Sequence, residues 1–170
     1  MNSNKNLVFL GMMGAGKSSI GKIISKKLNI PFIDIDNLIE EYTGMTISEI
    51  FKNNGEVYFR NLEEKITLKS LSNKKNVISL GGGGFINDNI RKDVISNHVS
   101  LWLDWSESIL LKRIKSSKKR PLAFKSTFQE IKDIIKKRSK IYSKANYKIN
   151  CNKLTKTEIV NKIIKIYELN

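Results

Sequence analysis

Short apolar runs alternate with amphipathic stretches along the chain. Asn6-Leu-Val-Phe-Leu10 is apolar almost without interruption, the pattern of a strand covered on both faces. After Lys17, residues Ile20, Ile23, Ile24 and Leu28 recur at helical spacing. Ile30-Pro-Phe-Ile-Asp-Ile-Asp36 predicts a second strand entering at Pro31, whose alternation puts Asp34 and Asp36 on one side, with a helix near Leu38 to Tyr42. Thr46 and Glu49 have capping-box spacing for a short helix ending near Gly55, and a longer helix runs through Phe59, Leu62, Ile66 and Leu71. Val77 to Leu80, Val99 to Leu103 and Tyr147 to Asn150 supply three more strands. Helices are predicted over Ser106 to Ile114, from Thr127 to about Ala145, and from Thr155 onward, the last two with Glu three residues after Thr. Five strands alternating with helices predict an α/β fold: a mainly parallel sheet, helices on both faces, right-handed crossovers.

A length of 170 residues predicts one domain. Its core would comprise 5–35, 75–114 and 145–170, with a helical region at about 36–72 and a polar, basic, mobile loop at about 115–126. Lone Cys151 excludes an intrachain disulfide framework and a Cys-based zinc site, and lone His98 removes most His-based metal or triad schemes. The apolar stretch from Leu7 to Ala15 is broken by glycines, so it reads as core rather than as a signal peptide. No other run approaches the roughly 20 apolar residues that span a bilayer, which predicts a soluble, cytoplasmic protein without a membrane partner.

The net charge of +15 invites a nucleic-acid reading. Yet 26 of the 31 basic residues are Lys, scattered through every segment, a compositional bias rather than a basic stripe. Arginine is therefore informative. Arg60, Arg91, Arg113, Arg120 and Arg138 mark places where a planar bidentate fork is needed, or else make ordinary ion pairs, as Arg60 could with Glu56 or Glu64.

The sharpest chemical signal is Gly11-Met-Met-Gly-Ala-Gly-Lys-Ser18, a full GxxxxGKS phosphate loop between the first strand and the first helix. Gly11, Gly14 and Gly16 let backbone N–H groups approach phosphate oxygens, and the helix N-terminus adds positive field. Lys17 suits the β- and γ-phosphates, and the Ser18 hydroxyl suits Mg²⁺. Asp34 and Asp36, at the carboxyl end of a strand beside that loop, suit the metal and a substrate hydroxyl; Asp36 also suits a helix N-cap. Four glycines, Gly81 to Gly84, make either a flexible turn or a place of close backbone approach.

Taken together, GMMGAGKS, the Asp34-Ile-Asp36 pair, GEVYFRNLEE around Arg60, SLGGG at Gly81 to Gly83, Arg120-Pro-Leu122 and KRSKIY around Arg138 resemble the shikimate kinase family over nearly the whole chain. The resemblance implies transfer of the ATP γ-phosphoryl group to the 3-hydroxyl of shikimate, on the way to aromatic amino acids, by a Mg²⁺-dependent monomer. It assigns nucleotide contacts to Gly14, Ala15, Gly16, Lys17, Ser18, Ser19, Arg113 and Arg120, and the metal shell to Ser18 and Asp34. Substrate contacts fall on Asp36, Arg60, Gly81, Gly82, Gly83 and Arg138, with Arg60 and Arg138 clamping the carboxylate. The catalytic set is Lys17, Asp36 as base, and Arg120, which would arrive with closure of a lid at about 115–126; Arg113 would stack on adenine.

By the same resemblance Ile47, Phe51 and Phe59 match the apolar wall of the substrate pocket, although their spacing equally suits ordinary core. The chain departs from the family at Gly84 and after the fifth strand, where Asn150-Cys-Asn-Lys-Leu154 lacks a proline and leaves Asn152 and Lys153 as candidates for the adenine side. A gluconate or nucleoside monophosphate kinase would share the phosphate loop. A nucleic-acid-binding NTPase would leave the aspartate pair and the scarce arginines unexplained.

Overall fold

All four residues of the first strand, β1 (Leu7–Leu10), are buried, although their side chains point alternately to opposite sides. Both faces of the sheet are therefore covered at its centre. The computed structural model describes residues 4–115 and 127–169. In it β1 is flanked by β3 (Val77–Ser79) and β4 (Val99–Asp104), with β2 (Phe32–Asp34) outside β3 and β5 (Tyr147–Asn150) outside β4. Every pairing is parallel, so the sequence expectation of a mainly parallel sheet is met in full. The chain leaves β1 toward β2 on one side and crosses from β3 to β4 on the other. Ligands of open α/β sheets bind at the carboxyl edge beside such a divergence.

The helices are α1 (Lys17–Leu28), α2 (Ile35–Thr43), α3 (Ile47–Ser72), α4 (Asp88–Asn97), α5 (Glu107–Lys115), α6 (Phe128–Tyr142) and α7 (Lys156–Glu168). Thr46 and Glu49, Thr127 and Glu130, and Thr155 and Glu158 form reciprocal capping boxes at the starts of α3, α6 and α7, as their spacing predicts. Helix α3 is broken at Gly55, whose φ of 83° and ψ of 172° are open to glycine and strained for other residues. The second part of α3 runs from Arg60, beside the glycine run, to Leu71, beside Asn6. Helix α6 stops at Tyr142, three residues before the predicted end. Among the described residues no helix is long and apolar enough to cross a membrane.

One expectation fails at β2. The strand ends at Asp34, and Ile35 and Asp36 already belong to α2. Its ladder partner explains this: β2 pairs only with Val77 to Ser79, after which the neighbouring chain enters the glycine run. The Asp34 carboxylate accepts from the Asn37 amide, so Asp34, and not Asp36, is the N-cap. Asp34 and Asp36 are thus related by a cap and a first helical turn rather than by strand alternation. Residues 116–126, with the predicted lid and Arg120, lie outside the described residues.

At the opposite edge Asn6, fully buried, ties three elements together. Its side-chain amide donates to the Leu71 carbonyl at 2.9 Å, and its oxygen accepts from the Asn76 amide at 2.9 Å. Asn6→Ala leaves both groups buried without a partner, a cost of about 2–4 kcal/mol. Urea denaturation is expected to show that loss, while Michaelis constants, set at the other edge, stay unchanged.

Candidate active site

The phosphate loop leaves β1 through three glycines at positive φ, Gly11 (139°), Gly14 (81°) and Gly16 (86°). The first intrahelical bond of α1 runs from the Ile20 amide to the Gly16 carbonyl at 2.9 Å, so the first-turn amides ahead of it are oriented along the helix axis for an anion. Lys17 is buried, and its ammonium donates to the carbonyls of Gly11 at 2.8 Å and Met12 at 3.2 Å, holding a cation over the loop. Two side chains brace the outside of this turn, one of which, Trp105, is absent from the sequence argument. The Trp105 indole donates to the Ala15 carbonyl at 2.9 Å, and the Arg113 guanidinium lies 3.9 Å over the Trp105 ring and donates to the Gly14 carbonyl at 3.2 Å. Arg113 therefore stands beside the loop on an aromatic surface.

Next to α1 the Ser18 hydroxyl donates to the Asp34 carboxylate, and the Ser79 hydroxyl lies 3.5 Å from that of Ser18. Three oxygen donors from α1, β2 and β3 meet here. Hard oxygen ligands with a single carboxylate suit Mg²⁺, which completes its octahedron with phosphate oxygens and water. Among the described residues no cluster of three or more His, Cys, Asp or Glu side chains is built to hold a metal by itself. This donor set therefore fits a cation that arrives with a polyphosphate.

On the other side of the edge the glycine run is hemmed in by charged groups. A Cβ at Gly81 would lie 2.5 Å from Asp36 Oδ1 and 2.7 Å from Glu63 Oε1; one at Gly83 would lie 2.5 Å from an Arg60 guanidinium nitrogen. The close-approach reading of these glycines holds. The Gly82 carbonyl accepts from Arg138 at 3.0 Å and from the buried Tyr142 hydroxyl, whose burial pushes its pKa up to about 12 and keeps it a donor. Two guanidinium groups, from α3 and α6, thus converge on three consecutive glycines.

Between them sits Glu63, only 2% exposed. It accepts from Arg60 at 2.7 Å, and Arg60 also pairs with Glu56 at 3.2 Å. Glu64, the alternative expected from sequence, instead accepts from the side chains of Asn87 and Asn89. Burial pushes the Glu63 carboxyl above its ordinary value, and the guanidinium groups of Arg60 and Arg138 pull it back. Burial works against the Arg60 charge too, but the carboxylates of Glu63 and Glu56 outweigh it and leave its pKa raised. The Arg60 guanidinium lies 5.1 Å from the centre of the Phe59 ring and 6.0 Å from that of Phe51, the two rings being 4.7 Å apart. Phe59 is core, whereas Phe51 and Ile47 are half-buried and pack against it. With Glu56 included, two guanidinium groups face two carboxylates in this cluster.

The structure thus brings Lys17, Ser18, Asp34, Asp36, Arg60, Gly81, Gly82, Gly83 and Arg138 to one edge of the sheet, with Gly14, Ala15, Gly16 and Arg113 in and beside the loop. Ser19 is exposed on the first turn of α1. Arg91 does not join them: it pairs with Asp88 and holds the carbonyls of Phe85 and Ile86. The Asn152 side-chain oxygen accepts from the Ser106 amide at 2.6 Å just before α5.

A polyphosphate cradle and a separate cluster of guanidinium groups, sharing one sheet edge, are the layout of a phosphate-loop kinase acting on a small molecule. Comparison with known proteins narrows the class. The sequence model of the shikimate kinase family matches residues 13–168. A shikimate kinase of Thermodesulfovibrio yellowstonii is 41% identical over 165 residues, 96% of this chain and 95% of that protein. The solved structure of Acinetobacter baumannii shikimate kinase in complex with shikimate superposes with a TM-score of 0.91 at 30% identity, covering 99% of this chain and 96% of that one. The Aquifex aeolicus enzyme superposes with a TM-score of 0.86 at 36% identity, over 96% of each chain. The chain belongs to the shikimate kinase family.

Gly81→Ala tests the close approach. The new methyl group meets the ends of two flexible side chains rather than backbone, so the protein should still fold while the Asp36 and Glu63 carboxylates shift. Phosphoryl transfer is expected to fall by about a hundredfold, the scale of an ångström-level misplacement, with the thermal midpoint nearly unchanged.

Proposed function

We propose that this chain transfers the γ-phosphoryl group of ATP to the 3-hydroxyl of shikimate, giving shikimate 3-phosphate and ADP. The observation that carries this reading is the pair of guanidinium groups from α3 and α6, held over the glycine run beside a phosphate loop. A planar, bidentate-capable pair suits a carboxylate. Family membership supplies the identity of the acid.

In this mechanism Arg60 and Arg138 fix the ring through its carboxylate, and the backbone of Gly81 to Gly83 lies against the ring. Asp36, at the start of α2 and against Gly81, orients the hydroxyl and takes its proton. The transferring group passes through a loose transition state, so positioning and neutralisation of charge on its oxygens dominate. Lys17 supplies one such charge. Arg120, outside the described residues, is assigned a second. Ser18 and Asp34 would hold a divalent cation, taken as Mg²⁺, which would supply neutralisation of charge on the phosphate oxygens. The loop amides and Arg113 hold the rest of the nucleotide, and the protein acts as a monomer in the cytoplasm.

The direct test is ADP release from ATP and Mg²⁺ with shikimate, gluconate, a nucleoside monophosphate or no acceptor. Shikimate alone is expected to stimulate release strongly, and Arg60→Ala or Arg138→Ala to raise its Michaelis constant about tenfold or more, through the loss of a charge-assisted contact. Equal release in every reaction would overturn the acceptor assignment, and an unchanged shikimate constant in both variants would overturn the clamp.

A further inference from the structure

Lys156 occupies the first position of α7, where a positive charge opposes the helix dipole. The capping-box carboxylate of Glu158 accepts from the Thr155 amide and hydroxyl, both at 2.7 Å, and makes no ion pair with Lys156. Among the described residues no carboxylate lies within 4 Å of the Lys156 ammonium. Instead the ammonium crosses to α1 and donates to the Ser19 hydroxyl at 3.0 Å. Both residues are exposed, so the contact faces solvent on the flank of the phosphate loop.

The backbone that presents Lys156 is fixed. The Cys151 amide donates to the Asp104 carbonyl at 2.9 Å, the Leu154 amide to the Cys151 carbonyl at 3.3 Å, and Asn152 holds the chain ahead of α5. Helices α1 and α7 pack together, so two helix N-termini and a bridging ammonium gather on one flank. Positive field concentrated in this way is offset by an anion. The anion expected on the first turn of α1 is the phosphate chain of a nucleotide. Lys17 and Ser18 take its β and γ end, and Ser19, one residue further round the helix, turns toward the end that joins the nucleoside.

We propose that Lys156 is a further nucleotide-binding residue, its ammonium contacting the phosphate chain of ATP from α7, opposite Lys17. The proposal rests on the phosphate-loop reading of residues 11–18 and is independent of the acceptor. In this arrangement Ser19 holds the ammonium ready, and nucleotide binding exchanges that neutral partner for an anionic one.

Calorimetric titration with ADP and Mg²⁺, without shikimate, tests it. Lys156→Met is expected to weaken ADP binding about five- to tenfold and to leave adenosine binding unchanged, since only phosphate is contacted. Lys156→Arg should restore affinity. Lys165→Met, which removes the same charge near the far end of the same helix, should bind as the unmodified chain does. The Michaelis constant for shikimate and the ligand-free thermal midpoint should not move. Unmodified ADP affinity in Lys156→Met, an equal loss in Lys165→Met, or a lowered ligand-free midpoint that Lys156→Arg does not repair would each overturn the assignment. Failure of the unmodified chain to bind ADP would overturn the phosphate-loop reading with it, whereas failure to turn over shikimate would touch only the acceptor.

Discussion

A buried carboxylate between two guanidinium groups is the interaction on which the acceptor side of this site depends. Removing a charge from water is expensive, and Glu63 is tolerated because Arg60 donates to it directly and Arg138 stands close enough to pull its pKa down. Facing one another alone, the two arginines would repel. With Glu63 between them they are held together beside the glycine run. Much of the local architecture serves this cluster: the i,i+3 spacing puts Arg60 and Glu63 on one face, and Phe51 and Phe59 support the guanidinium plane.

The glycine run follows from the same constraint. Charged groups from α2, α3 and α6 press on three consecutive residues after β3, and a methyl group at Gly81 or Gly83 would enter the space their polar atoms fill. On the phosphate side the roles are reversed. There backbone amides and one lysine form the cradle, and the glycines serve to reach positive φ. Two glycine-rich segments, alike in composition, thus do different work: one bends to present N–H groups, the other stays bare so that side chains can approach. The central position of β1 and β3 in the sheet places both at one edge.

How much of this could be read from the chain depended on how local the cause was. Strand order of appearance, the three Thr and Glu capping boxes, the Gly55 break and the phosphate loop are each set within a few residues, and each is where its pattern put it. The end of β2 was misjudged because a strand stops where its partner stops, and that partner lies more than forty residues away. Glu63 was missed for a similar reason: in GEVYFRNLEE it looks like Glu56 and Glu64, and only the rotation of α3 against the sheet buries it while Glu56 is exposed and Glu64 half-buried. Trp105 and Lys156 carried no motif. Their contacts with Ala15 and Ser19 span 90 and 137 residues.

The central claim is that Glu63 acts by positioning Arg60 and Arg138, and Glu63→Gln examines it most directly, because the amide keeps the shape and removes the charge. Shikimate and ADP affinities would be measured by calorimetry on this variant and on the unmodified chain. The account expects shikimate binding to weaken about tenfold or more while ADP binding holds, since the arginines lose the group that orients them. If the cluster acted through net charge alone, loss of a neighbouring negative charge would tighten binding of an acid, and equal or stronger shikimate binding would contradict the account.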